Sequence, residues 1–153
     1  MADITKRTAK RIATHLQPDE HVEAALLIEP KGTYGPGIVA LALLPRTMSK
    51  VMESSARDAN AESGGFAASF PGGSAAFTIT NRRILVVPSN GLTFKDPAAQ
   101  YELGSVVVGE ISNRVIGRRM QLVFADGSAV QVDIQRGQPI EKVQSLLGTV
   151  GTV

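Results

Sequence analysis

The stretch FTITNRRILVV, Phe77 to Val87, decides how the rest of the chain reads. Phe77 and Ile79 alternate with Thr78 and Thr80, and Ile84 to Val87 form a second apolar run that Pro88 stops. Period-two alternation marks a strand with two unlike faces. Asn81 and Arg82 lie between the two runs. Asparagine tolerates left-handed backbone, so this pair is expected to make the tight turn of a hairpin. Arg83 then opens the second strand, where it is expected to anchor nearby carbonyls or a carboxylate. Arg82 stands at the exposed tip and is the better candidate for contacting a ligand.

The pattern continues downstream. QYELGSVVVGEIS reads as a longer strand region in which Gly104 and Gly109 permit a bend or bulge. RRMQLVFADGSAVQVDI reads as a hairpin turning at Asp126-Gly127. Met120, Leu122 and Phe124 share one face of its first arm, and Val130, Val132 and Ile134 one face of its second. Asp133 is expected to face solvent. The period then changes: Pro139 precedes Ile140, Val143 and Leu147 at helical spacing, giving a closing helix over 138–148.

Upstream, HVEAALLIEPKG reads as a first strand, with Val22, Ala24, Leu26 and Ile28 on one side. Before it, residues 1–17 form a short amphipathic helix. Ile4, Ile12 and Leu16, with Ala9 and Ala13, make its apolar side, and Lys6, Arg7, Lys10 and Arg11 its basic side. Residues 33–74 read as an insertion, partly helical and flexible. Leu41, Leu44, Met48, Val51 and Met52 recur at helical spacing there, a stripe suited to a subunit or partner interface. The glycine-rich SGGFAASFPGGSAA that follows reads as a loop.

The order is helix, strand, insertion, five or six strands and a closing helix. That is a mainly β (α+β) fold: a single domain over 1–153, built as a partly open antiparallel barrel or sandwich with a helix at its end. The order resembles the bacterial pleckstrin-homology-like domains. The resemblance rests on FTITNRRILVV with its Thr-x-x-Arg element (Thr80 to Arg83), on YELGSVVVGEI, and on QLVFADGSAVQVDI followed by a helix. It spans roughly Glu20 to Leu147, interrupted by the insertion. It implies a small barrel capped by a helix, a binding or scaffolding role and no catalytic residue. Some relatives assemble into rings. Relatives that bind phosphoinositides place basic residues across the first hairpin. Here Lys31 is followed by the uncharged GTYGPGIVALALL, which argues against an inositol phosphate ligand.

Composition narrows the chemistry. Apolar residues are 43% and charged residues 20% of 153, a globular balance with a real core. There is no cysteine, so thiolate metal sites, disulfides and cysteine nucleophiles are excluded. His15 and His21 share no ligand spacing with carboxylates. GGFAASFPGG lacks the Gly-Lys-Ser/Thr ending of a phosphate-binding loop. An enzyme, a metal and a cofactor are therefore not expected. A net charge of +2 with no aromatic pairs for stacking argues against nucleic acid. No signal-like segment stands at Met1, and GIVALALL falls far short of the ~20 residues a spanning helix needs. The expectation is a bacterial cytoplasmic protein, peripheral to the inner face of the membrane if its basic helix touches lipid.

Two functions of different class follow. One is a protein-interaction or self-assembly module with a protein partner or a homo-oligomeric state. The other is a binder of anionic membrane through Lys6, Arg7, Lys10 and Arg11 and the insertion. Arg82, Arg114, Arg118 and Arg119 are candidate contacts for a phosphate or an acidic segment, should their turns gather at one barrel end.

Overall fold

The computed structural model describes residues 4–30, 60, 64–89, 93–113, 117–135 and 137–148. Helix α1 spans Ile4–Arg11 and is followed by a 3-10 turn, Ala13–His15. Seven strands follow: β1 Val22–Pro30, β2 Ala75–Thr80, β3 Arg83–Pro88, β4 Ala99–Glu102, β5 Val106–Asn113, β6 Gly117–Phe124 and β7 Ala129–Gln135. A 3-10 turn, Gly65–Ser69, precedes β2, and helix α2, Ile140–Leu147, closes the order. All the strands are antiparallel, in the order β4-β3-β2-β1-β7-β6-β5. The expected mainly β architecture with a C-terminal helix is the one observed.

The sheet folds over one core. Phe77, Ile79, Ile84 and Val86 meet Met120, Leu122, Phe124, Val130, Val132 and Ile134 across it, as the alternation required. Ile140, Val143 and Leu147 of α2 enter the same cluster. Each is 8% exposed or less, and full burial of such a side chain contributes about 2 kcal/mol.

A second cluster lies on the opposite face of β1–β3. Ile12 packs there with Ala76, Leu85, Val87 and Phe94, flanked by Ile4, Leu16, Val22 and Leu27. Helix α1 covers this face, so β2 is buried at all six positions. The threonines of TIT, which look solvent-facing by alternation, are enclosed. Val22 differs from expectation: it joins this second cluster, not the side of Ala24. The register between β1 and β2 shifts between Val22 and Ala24, and one extra residue flips every side chain before it. On α1 the buried position is Thr8, and just after it Ile12 is buried whereas Ala13 is exposed.

The expected bulge in β5 is present, between Val108 and Ile111. The glycine-rich loop expectation is corrected over Gly65–Ser69, which forms the 3-10 turn. Ala67 and Phe70 pull this segment onto the core, where they are 0% and 2% exposed. The insertion stripe Leu41, Leu44, Met48, Val51 and Met52 lies outside the described residues, as does Arg114.

Strand β7 pairs with β1 only at Ile28–Pro30. Where it has diverged, side chains take over β1 backbone donors. Ala25 N donates to Thr5 Oγ1 at 3.2 Å and Leu27 N to Gln138 Oε1 at 3.2 Å. A buried amide without a partner costs more than the bond itself yields, so α1 and the segment leading into α2 help satisfy the seam.

Candidate functional site

Arg83 sits at the start of β3 and reaches back to the loop before β1. Its Nε donates to Glu20 Oε2 at 3.0 Å and its NH2 to Glu20 Oε1 at 3.1 Å. NH2 also donates to the His15 carbonyl at 2.8 Å, and NH1 to Gln100 Oε1 at 2.9 Å. Thr80 completes the arrangement. Its hydroxyl donates to Glu20 Oε2 at 2.7 Å and accepts from the Arg82 and Arg83 amides, both at 3.0 Å. Burial pulls the Glu20 carboxyl upward, but bonds from Arg83, the Gln17 amide and Thr80, with the Arg83 charge, outweigh it and hold the pKa at about 2.

The turn is built differently from the expectation. Asn81 does not adopt left-handed backbone; among the described non-glycine residues only Asp19 does, at φ 64. Asn81 instead fastens the loop before β1: its Oδ1 accepts from His21 N at 2.7 Å and its Nδ2 donates to the Asp19 carbonyl at 3.0 Å. Thr80 and Arg83 thus form one clamp on Glu20, which the sequence reading had not singled out. The signal was weak: Glu20 is one acid in a polar PDEH stretch, 63 residues from its partner.

Arg82 is exposed at the turn tip. It lines a cleft of about 260 Å³ with Gln17, Arg83, Gln100, Tyr101 and Glu102. Arg118 lines a different cleft, of about 610 Å³, beside the start of α2, and its NH1 lies 3.4 Å from Glu141 Oε1. Arg119 donates through Nε to Asp133 Oδ1 at 2.9 Å. Asp133 is fully buried, which corrects its expected solvent-facing position. Its cross-strand partner is Arg119, and Glu29 stands next to it on β1. Burial raises the Glu29 carboxyl, a bond from the Ser74 hydroxyl counters this, and the Asp133 charge adds to the rise. Among the described residues, Arg82 and Arg118 line separate clefts, and Arg119 is held by a buried carboxylate.

The basic side of α1 is also engaged. Arg7 lies 5.4 Å above the Phe94 ring. Arg11 Nε donates to the Phe94 carbonyl at 2.6 Å, and its NH2 reaches Asp96 at 3.3 Å. His15 Nε2 is 3.2 Å from the same Asp96 oxygen.

Asp126 does more than form its turn. It accepts from Ser128 N and Ser128 Oγ, and from Phe66 N at 2.8 Å. The Ser128 hydroxyl accepts from Ala67 N at 3.1 Å. The β6–β7 turn thereby holds the 3-10 turn, and Tyr101 ties it from the other side through Ser69 Oγ at 3.0 Å. Among the described residues, no three His, Asp or Glu side chains group to hold a metal, and no helix is long and apolar enough to cross a membrane.

Strand order and closing helix define an open seven-stranded antiparallel sheet with a C-terminal helix, and a Thr-x-x-Arg clamp holds one of its turns. No protein-family model matches the chain, and no curated protein matches it. Among solved structures it is similar to a pleckstrin homology domain from Shewanella amazonensis SB2B, with 11% identity, 94% of each chain covered and a TM-score of 0.47. Nothing about ligand or partner is carried over at that distance.

Proposed function

We propose that the chain is a non-enzymatic interaction module, engaging a protein partner or further copies of itself. What supports this reading is where its exposed apolar side chains lie. Phe66, Leu103 and Leu146 are 43%, 41% and 41% exposed, the large apolar side chains left open among the described residues. Phe66 stands 6.3 Å from the Tyr101 ring of β4, and Leu103 follows β4 in the turn to β5. Leu146 lies near Gly148, whose carbonyl accepts from Val108 N of β5 at 3.0 Å. All three border β4 and β5, the end strands of the open sheet, which offer backbone groups to a partner.

Light scattering tests the self-assembly form. A mass above the 16.1 kDa chain that falls in Leu103→Glu/Leu146→Glu supports it, and a wild-type monomer overturns it. In-cell cross-linking tests the partner form, which fails if wild type and double variant give the same adducts.

The membrane reading has less support. A surface helix binds lipid by burying its apolar face in the bilayer. In α1 and the residue after it that face, through Ile4 and Ile12, packs on the sheet instead. Liposome flotation lost on Lys6→Glu/Lys10→Glu/Arg11→Glu would favour lipid after all.

A further inference from the structure

Helix α1 and the end of the β3–β4 connection make one basic face. Lys6, Arg7, Lys10 and Arg11 are exposed along residues 4–16, which contain no acid. Residues 93–98 add Lys95 and Asp96. These two segments thus carry five lysine and arginine side chains and one carboxylate, in a chain whose whole net charge is +2. The face is assembled by the fold: the Arg7 ring contact and the Arg11 bond to the Phe94 carbonyl join segments more than 80 residues apart.

The face already seats a carboxylate. Asp96 Oδ1 lies between Arg11 NH2 and His15 Nε2, at 3.3 and 3.2 Å. These contacts are long, and the Asp96 side chain is 68% exposed, so water or another carboxylate competes easily for the same donors.

We infer that this face docks an acidic segment of a partner protein, a surface beyond the apolar one described above that rests only on the chain being an interaction module. Carboxylates of the segment pair with Lys6, Lys10 and Lys95, and one takes the place of Asp96 on Arg11. A bilayer is disfavoured because the apolar residues of this segment are turned inward: Ile4 packs on the second cluster and Ile12, just after α1, is 0% exposed. Nucleic acid is disfavoured because the aromatic ring at the face, Phe94, is 8% exposed beneath Arg7 and offers no stacking platform.

The test uses the full chain and a fluorescein-labelled deca-glutamate peptide, followed by anisotropy at about 50 mM salt, where surface charge is screened less than at physiological ionic strength. Lys6→Gln/Lys10→Gln/Lys95→Gln, which leaves Arg7 and Arg11 in place, weakens binding about tenfold, and Asp96→Asn tightens it about threefold. Leu103→Glu/Leu146→Glu weakens self-assembly or partner capture but leaves peptide binding within about twofold of wild type after allowance for its added charge, so the two surfaces are judged separately. Unchanged affinity in the lysine variant, or weaker binding in Asp96→Asn, overturns the inference. So does tighter binding, at the same salt, to single-stranded DNA or to phosphatidylglycerol-rich vesicles than to the peptide.

Discussion

Arg83 closes on Glu20 in a two-point ion pair, with the acceptor side chain fully enclosed and the arginine side chain 16% exposed. The pair joins the loop before β1 to the first residue of β3. Thr80 supports both partners, so the Thr-x-x-Arg element acts as a staple between distant segments. Removing one member of such a pair strands the other. Arg83→Ala is expected to lower stability by about 3–5 kcal/mol in chemical denaturation, and Arg83→Lys to recover little of that, since lysine cannot make the fork. Arg82→Ala, one residue away on the surface, is expected to cost at most about 0.5 kcal/mol.

The same pair sets an acid limit. The Glu20 pKa falls from its ordinary 4.5 to about 2 in the fold. A depressed acid contributes stability that is whole above the unfolded value and is lost as pH falls through the folded one. The loss therefore runs from about pH 4.5 down to about pH 2 and amounts to roughly 3 kcal/mol at most. Denaturant midpoints measured over this window should fall steeply in wild type and flatten in Glu20→Gln. Glu29 acts with the opposite sign: its raised carboxyl makes the fold bind its proton more tightly, so its penalty is relieved on acidification. Glu29→Gln should raise stability at neutral pH relative to wild type.

Periodicity made the larger part of this fold legible. The residues assigned to the inner faces of β6 and β7 all reach the core, because a strand with one polar and one apolar face has one way to turn. What the pattern hid was two-sided burial. Thr78 and Thr80 look like an outer face, yet α1 lies over them. The flipped side of Val22 was hidden as well, since a bulge is decided by pairing and not by composition. At the turn, Arg83 was readable as an anchor from its Thr-x-x-Arg context. Its partner was not, because an ion pair across 63 residues leaves no local trace. Arg119 was hidden for another reason: two adjacent arginines look alike in sequence, but alternation sends one to Glu141 and the other to the buried Asp133 across the hairpin.

Helix α1 carries a polar atom in the wrong place for its packing. Thr8 is 0% exposed and its hydroxyl has no hydrogen-bond partner among the described residues, on the inner side of a helix that is followed by the fully buried Ile12. Valine has the same shape without the hydroxyl. Thr8→Val is expected to raise stability by about 1 kcal/mol in thermal or denaturant unfolding, the desolvation penalty less a small loss of helix propensity. Ile12→Ala is expected to cost about 2–4 kcal/mol by opening a cavity in the second cluster.

The 3-10 turn should depend on a glycine at its first position. Gly65 has φ +56, and a Cβ there would stand 2.0 Å from Asp126 Oδ2, the oxygen that accepts from Phe66 N. Gly65→Ala must therefore strain the backbone and push Asp126 off the turn together. Tyr101 reports the result. Its phenol is raised above the usual 10 by burial, opposed in part by its bond with Ser69, and Ser69 belongs to the turn that would shift. In a Tyr34→Phe background, an absorbance titration follows Tyr101 alone. Gly65→Ala should bring its ionisation down toward the ordinary value as water reaches the ring, whereas Gly64→Ala, which strains the backbone at φ +73 but meets open space, isolates the backbone part of the effect. Equal curves for wild type and Gly65→Ala would show that the turn does not shield Tyr101.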